Sequence, residues 1–343
     1  MKKILVLAVI FSFIIIACMR GNKSGSENIN DAELLNSAAA LFQPISSVKY
    51  DKPDPAMVEL GKYLYFDTRL SGAGNISCNS CHNLSTYGVD NERFSLGDAG
   101  ERGGRNSPTV FHAALHKMQF WDGRAVDVEE QAAGPILNPI EHNIKNKEEL
   151  VDRLKKVDLY QKMFAQAYQN DKDPITFDNL TKAIGAFERT LMPESRFDKY
   201  LEGDGSALTA QEKEGLDAFI KVGCITCHNG VALGGQMLQK FGLYEDYWKQ
   251  TKSEKIDYGL FDLSQNETEK FFFKVPGLRN ITHTGPYFHD GSVADLKKAV
   301  SIMGKLQRNV DLTDKQINDI VVFLGSLSSD IPDEVKKSPF AQQ

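Results

Sequence analysis

The sequence predicts a mainly α-helical fold built from two repeated units. Three observations lead to it. The motif Cys-x-x-Cys-His occurs twice, at residues 78–82 and 224–228. Each copy follows a helical segment with a similar start, Gly61-Lys-Tyr-Leu-Tyr-Phe before the first and Gly215-Leu-Asp-Ala-Phe-Ile before the second, and each is followed by Asn. No stretch alternates apolar and polar residues over a strand's length, whereas several repeat apolar residues at helical spacing.

The motif determines what each unit holds. Cys-x-x-Cys-His is the attachment signature of a c-type haem. Two thiols add to the two haem vinyl groups, and two intervening residues let both reach from one helical turn. The next residue, His82 or His228, then lies under the iron as a neutral imidazole ligand. The four motif cysteines, Cys78, Cys81, Cys224 and Cys227, are four of only five in the chain, so no disulfide framework is left over. A redox dithiol and a zinc site made from the two pairs are the rival readings. The zinc spacing is usually far shorter, and neither rival accounts for two adjacent histidines. The expected architecture is two cytochrome-c-like haem domains packed together, with two covalently bound haem c groups.

In chain order, Lys2 and Lys3 begin a charged segment, and residues 4–17 form an apolar run of leader length, short for a membrane span. The run ends Ile15-Ile16-Ala17-Cys18, which resembles a bacterial lipoprotein signal cut before a lipid-bearing Cys18 and accounts for the fifth cysteine. The expected location is the periplasm, with a membrane anchor through Cys18. Residues 18–50 are expected to be a lipidated tether and flexible linker, Gly/Ser/Asn-rich at first. The N-terminal haem domain is assigned to residues 51–200, the C-terminal one to 201–330, and a tail to 331–343. Residues 55–67 read as a helix with Met57, Leu60, Tyr63 and Leu64 on one face. Residues 148–168 and 176–191 read as amphipathic helices; Phe177, Leu180, Ile184, Phe187 and Leu191 line the second. Residues 202–205 read as a hinge. Thr209 with Glu212 forms a capping box that opens the next helix, and Thr313 with Gln316 forms another. The chain between the second motif and Glu269 reads as a Gly-rich loop and a polar stretch, followed by helices over 292–303 and 313–327.

Composition excludes some functions. Of 343 residues 41% are hydrophobic, ample for two cores, and the net charge is −6, or −8 once Lys2 and Lys3 leave with the leader. No basic block or basic-aromatic stripe points to nucleic acid. The sixth iron position decides whether a haem carries electrons or binds peroxide. His112, His116, His142, His283, His289 and several methionines are candidates for it. His112 and His116 lie four apart after Pro108, a spacing expected to place them on a solvated face.

Longer runs narrow the choice. They are Arg105-Asn-Ser-Pro-Thr109, Phe120-Trp-Asp-Gly-Arg124, Glu130-Gln-Ala132, Asn138-Pro-Ile-Glu141, Phe197-Asp-Lys-Tyr200, Leu278-Arg-Asn280 and Pro286-Tyr-Phe-His-Asp-Gly291, with Met303-Gly304 beyond. In these the chain resembles the bacterial di-haem cytochrome c peroxidases, over nearly all of residues 53–327. The resemblance implies reduction of hydrogen peroxide to water with electrons from a small cytochrome c or copper protein. It implies that the His82 haem is peroxidatic, that His228 and Met303 ligate a high-potential electron-entry haem, and that Glu141 and Gln131 form the distal pair. It places Trp121 on the electron path between the haems, and a calcium ion at Asn106, Thr284 and Pro286. A homodimer is an expectation that no motif carries.

Two alternatives stand beside this reading. One is a di-haem electron carrier without peroxide turnover, which needs neither Glu141 nor Gln131. The other is a protein-modifying di-haem oxidase resembling the methylamine-utilisation maturation enzyme, which closes its second haem with Tyr; Met303 argues against it. The chain departs from the family at Asp98. Many members carry there, in a Ser-x-Gly-His run, a His that caps the N-terminal haem. Asp98 is expected to be solvated, leaving that haem open at rest.

Overall fold

A computed structural model describes residues 30–340. The leader and Cys18 lie outside the described residues. The helices are α1 (Asp31–Leu41), α2 (Pro55–Phe66), α3 (Cys78–Cys81), α4 (Val128–Leu137), α5 (Lys147–Lys155), α6 (Asp158–Ala167), α7 (Phe177–Glu188), α8 (Arg196–Leu201), α9 (Ala210–Val222), α10 (Tyr247–Thr251), α11 (Phe261–Ser264), α12 (Leu296–Arg308), α13 (Asp314–Gly325) and α14 (Asp333–Lys336). Strands β1 (Leu238–Lys240) and β2 (Phe272–Lys274) pair antiparallel, with Gln239 opposite Phe273. The fold is mainly α, as the periodicity predicts.

The repeat in the sequence is a repeated helix crossing. In the N-terminal unit α2 crosses α7 at Gly61, where a Cβ would lie 1.8 Å from the Ala183 carbonyl oxygen and 2.9 Å from the Phe187 Cβ. In the C-terminal unit α9 crosses α13 at Gly215, where a Cβ would lie 1.9 Å from the Asp319 carbonyl oxygen and 2.7 Å from the Phe323 Cβ. Each glycine meets the same two positions, four apart, on its partner helix. The close approach leaves no room for a side chain. Each crossing leads its chain into a haem motif.

Leu60, Leu64, Ile136, Leu150, Phe164 and Leu180 centre the first core. Phe42, Phe197, Leu216, Phe219, Ile320 and Phe323 centre the second. Thr209 and Thr313 make the two capping boxes that their sequences announce.

Several expectations are corrected. The flexible linker over 18–50 does not extend through residues 31–47. Helix α1 buries Leu34 and Ala38 in the second core, and a short 3-10 turn spans Ile45–Ser47. The Leu41 carbonyl accepts from Gly230 N at 2.9 Å, and Ile45 N donates to the Asp198 carboxylate at 2.9 Å. The boundary at 200 also moves. Helix α8 sends Phe197 and Tyr200 into the second core, so the C-terminal unit begins before the hinge.

The tail crosses the other way. Ile331 packs with Tyr65, Leu84 and Phe111 of the first unit, and Phe340 meets Tyr63 edge-on at 5.3 Å. The single helix expected over 148–168 is two, α5 and α6, broken at Lys156 and Val157. The polar stretch after the second motif is not loose. Phe241, Tyr247 and Phe273 close a third core against Ile302 and Leu306 of α12.

Candidate active site

The second motif lies beside a cavity that opens to solvent. Cys224, Cys227, His228 and Met303 all line it, and so do Trp121, Asn106, Thr284 and Pro286. The glycine Gly223, at φ +87°, ends α9 and turns the chain into Cys224. His228 is 8% exposed, and its Nδ1 lies 3.1 Å from the Leu233 carbonyl. Burial lowers its pKa, so the ring is neutral. With Nδ1–H donating to that carbonyl, the lone pair is left on Nε2, as an iron ligand requires. Met303 reaches the cavity from α12, packed against the third core.

The first motif repeats this arrangement. A capping box between Ser77 and Ser80 opens α3. His82 Nδ1 lies 2.9 Å from the Pro108 carbonyl, and the Tyr65 hydroxyl holds the His82 carbonyl at 2.6 Å. Burial lowers the His82 pKa as it does that of His228. The four cysteines are free thiols, their pKa values raised by burial, those of Cys81 and Cys224 to about 11. Two neutral imidazoles with fixed tautomers, each beside two unpaired thiols, fit two covalent haems. Among the described residues no three His, Cys, Asp or Glu side chains are grouped to hold a bare metal ion.

Glu141 lies within electrostatic reach of Cys81. Burial raises its pKa, opposed by Arg124 and by the Asn138 amide, which donates to Glu141 Oε1 at 2.9 Å. Gln131 is half-buried on α4, whose end leads into the Glu141 turn. Its amide makes no hydrogen bond among the described residues, so the structure does not join it to Glu141 directly.

Trp121 Nε1 donates to the Asn106 carbonyl at 2.8 Å, tying two cavity residues together. Asn106 is 7% exposed, and its Nδ2 donates to the Glu92 carbonyl at 2.8 Å. Its Oδ1 receives no donor among the described residues, and neither do the Thr284 and Pro286 carbonyls.

Three polar residues are not where the sequence put them. Asp98 is not solvated: it is 7% exposed, and its carboxylate accepts from Ala73 N at 2.9 and 3.0 Å. Its own N–H donates to the Glu141 carbonyl at 2.8 Å, so Asp98 braces the loop that carries Glu141. His112 and His116 do not share a solvated face. His112 is 2% exposed, with Nε2 2.8 Å from the Pro193 carbonyl, and burial together with Arg279 pushes its pKa to about 3. His116 lines the cavity and accepts from Lys274. His142 is buried next to Glu141, with Nδ1 3.0 Å from the Leu70 carbonyl.

Two groups that sequence reasoning missed emerge here. Glu188 is 4% exposed and close enough to Cys78 to raise the thiol's pKa. It falls on the apolar stripe of α7, four residues after Ile184, and a carboxylate on such a stripe was the available signal. Lys274 stands in the apolar run between Phe273 and Val275, a similar signal. Two of the long motifs have a structural reason. Asp198 and Arg279, at most 1% exposed in their side chains, form a two-point ion pair at 2.7 and 2.8 Å inside the second unit.

The di-haem cytochrome c peroxidase family profile matches residues 55–206. The chain is 45% identical over 297 residues to the cytochrome c551 peroxidase of Nitrosomonas europaea, covering 86% of each chain. The chain belongs to the di-haem cytochrome c peroxidase family. It is 43% identical over 308 residues to the cytochrome c551 peroxidase of Pseudomonas aeruginosa, with 87% of each covered. A solved MauG-like protein associated with microbial copper homeostasis superposes with a TM-score of 0.76 at 30% identity, covering 87% of this chain and 97% of that one. As a di-haem cytochrome c peroxidase the protein is an oxidoreductase that reduces peroxide and carries two haem c groups.

Proposed function

We propose that the His82 haem is the peroxidatic centre and that electrons enter at the haem held by His228 and Met303. The observation that carries this is the asymmetry of the two motifs. A thioether lines the cavity of the second, whereas the first has a half-buried carboxyl, Glu141, within electrostatic reach. Imidazole with thioether favours ferrous iron and suits electron entry, and an open haem beside an acid suits peroxide.

The overall reaction is H2O2 + 2 e− + 2 H+ → 2 H2O. The haem, when bound, supplies the electron-pair chemistry that breaks the O–O bond. Glu141 takes the proton from the near oxygen and returns it to the departing one, which leaves as water. The Asn138 amide steadies Glu141 Oε1 for this transfer, and Gln131 orients the peroxide with its unengaged amide. Trp121, bonded to Asn106, provides the electron path across the units.

A calcium ion is held by Asn106 Oδ1 and the carbonyls of Thr284 and Pro286. Three unengaged oxygens on one cavity support it, since calcium takes oxygen ligands. The donor is a small periplasmic cytochrome c or copper protein. Lipid on Cys18 tethers the enzyme to a membrane, and the mass of the mature N-terminus reports it. No helix among the described residues is long and apolar enough to cross a membrane. Acyl chains on Cys18 would supply roughly 0.8 kcal/mol of anchoring per buried CH₂.

The test of the function is peroxide turnover with a reduced small cytochrome c, followed alongside spectra of both redox states. Oxidation of the donor that depends on peroxide is expected. Two reducible haems with no peroxide-dependent oxidation would favour the electron-carrier reading.

A further inference from the structure

Lys274 is 4% exposed, and its ammonium pairs with no carboxylate among the described residues. Among the described residues the ammonium's one hydrogen-bond partner is His116 Nδ1, at 3.1 Å. Burial pulls its pKa down to about 8, with no anion opposing the shift. A buried cation without a counter-ion is costly, and the neutral imidazole it touches supplies no charge to offset it.

His116 is held as firmly. A Cβ on Gly235 or Gly277 would come within 2.1 or 2.8 Å of its ring, so two glycines cage it. Because Nδ1 accepts from the ammonium, the ring proton sits on Nε2. That nitrogen has no partner among the described residues, and both side chains line the cavity that holds His228 and Met303.

The rest of that lining sharpens the point. No Asp or Glu contributes to it, although acids outnumber bases in the chain. Its other cation, Arg308, lies beside Gly223 and acts on Cys224, at the thiol edge. Covalent haem attaches there by its vinyl groups and carries its two propionates on the opposite edge. The lining therefore leaves the Lys274 charge uncompensated, and a haem carboxylate would offset it.

We propose that Lys274 and His116 anchor a propionate of the C-terminal haem, Nζ and Nε2 donating to its carboxylate, and that the Lys274 charge helps to set that haem's potential. The inference rests on the di-haem reading of the two motifs. A fixed positive charge near the iron favours the ferrous form, which carries one positive charge fewer. The Lys274 backbone N–H also donates to the Trp121 carbonyl at 2.7 Å, which ties this anchor to the residue between the units.

The experiment uses the full-length holoprotein. Haem content by pyridine haemochrome first verifies two haems per chain in the wild type; fewer would overturn the di-haem reading itself. In Lys274→Met, redox titration should show the reduction equilibrium of the His228 haem falling about tenfold, a shift of ~59 mV for one electron. The His82 haem should move less. The resonance Raman propionate-bending band of the His228 haem should shift as well. An unchanged potential and band with both haems present would overturn the proposal. If Lys274→Met does not accumulate with two haems, His116→Asn, which keeps the ammonium, decides: a shifted propionate band is expected, and an unshifted one overturns the anchor.

Discussion

Glu141 and Glu188 both lie within electrostatic reach of the first haem motif, Glu141 near Cys81 and Glu188 near Cys78. Burial raises both pKa values, but the surroundings divide their roles. Glu141 has Arg124 and the Asn138 amide favouring its charged form, so it can take up and release a proton. Glu141→Gln keeps the hydrogen-bonding shape without the acid. Peroxide turnover should fall by on the order of 10²- to 10⁴-fold with both haem spectra intact; unchanged turnover would remove Glu141 from the chemistry.

Glu188 is driven to about 8 by burial first and by Glu129 second. The folded protein therefore holds a proton there that the unfolded chain releases above about pH 4.5. Stability from this group is full at low pH and is lost as pH rises toward 8. Glu188→Gln removes the ionisation, so the variant's melting temperature should gain on the wild type's steadily between pH 5 and 8. A gap that stays constant with pH would show that Glu188 does not titrate in that range.

At the scale of elements, α1 is the least expected. Its segment follows a Gly/Ser/Asn-rich stretch and is rich in Ala, and nothing in it names a partner. In the fold, Leu34 is 5% exposed against Phe197 and Leu216, and Asp31 pairs with Lys213. Leu34→Ala should cost about 2–5 kcal/mol of stability in the C-terminal unit, seen as a lower midpoint in denaturant unfolding. An unchanged midpoint would mean that α1 is not docked in solution. The helices of the second crossing were more legible. Thr209 and Thr313 announce their own helices, because a capping box is satisfied locally. The glycines Gly61 and Gly215 were visible as a repeat, but not what they do. Each is needed because another helix backbone lies against it, and that helix is more than 100 residues away in both cases.

At the scale of the whole molecule, the termini are exchanged between units. Helix α1 covers the C-terminal core and the tail covers the N-terminal one, so each haem unit is completed by residues from the far end of the chain. The segment from Arg105 to Ala125 crosses as well. It brings Trp121 and His116 to the cavity of the second motif, and Asp122 to the Arg105–Asp257 ion pair. Asp98 belongs to this frame: with both carboxylate oxygens on Ala73 N, it is committed to bracing the Glu141 loop and is not available to cap iron. The oxidised protein should therefore show a high-spin ferric signal from the His82 haem in electron paramagnetic resonance, and should react with peroxide before any reduction. A purely low-spin spectrum with a lag until half-reduction would show that another residue caps the iron.

The sequence by itself determined the two attachment sites, the mainly helical architecture and the family. Cys-x-x-Cys-His is a local signature, made within one turn of chain, and helical periodicity and capping boxes are local too. The tertiary structure alone decided which polar side chains are buried and what they face. Asp98 on Ala73, His112 under Pro193 and Lys274 on His116 depend on backbone groups or side chains 25, 81 and 158 residues away. Burial, which shifts the pKa values of Glu141, Glu188 and Lys274, is a property of the packed chain, and no residue carries it in its neighbours along the sequence.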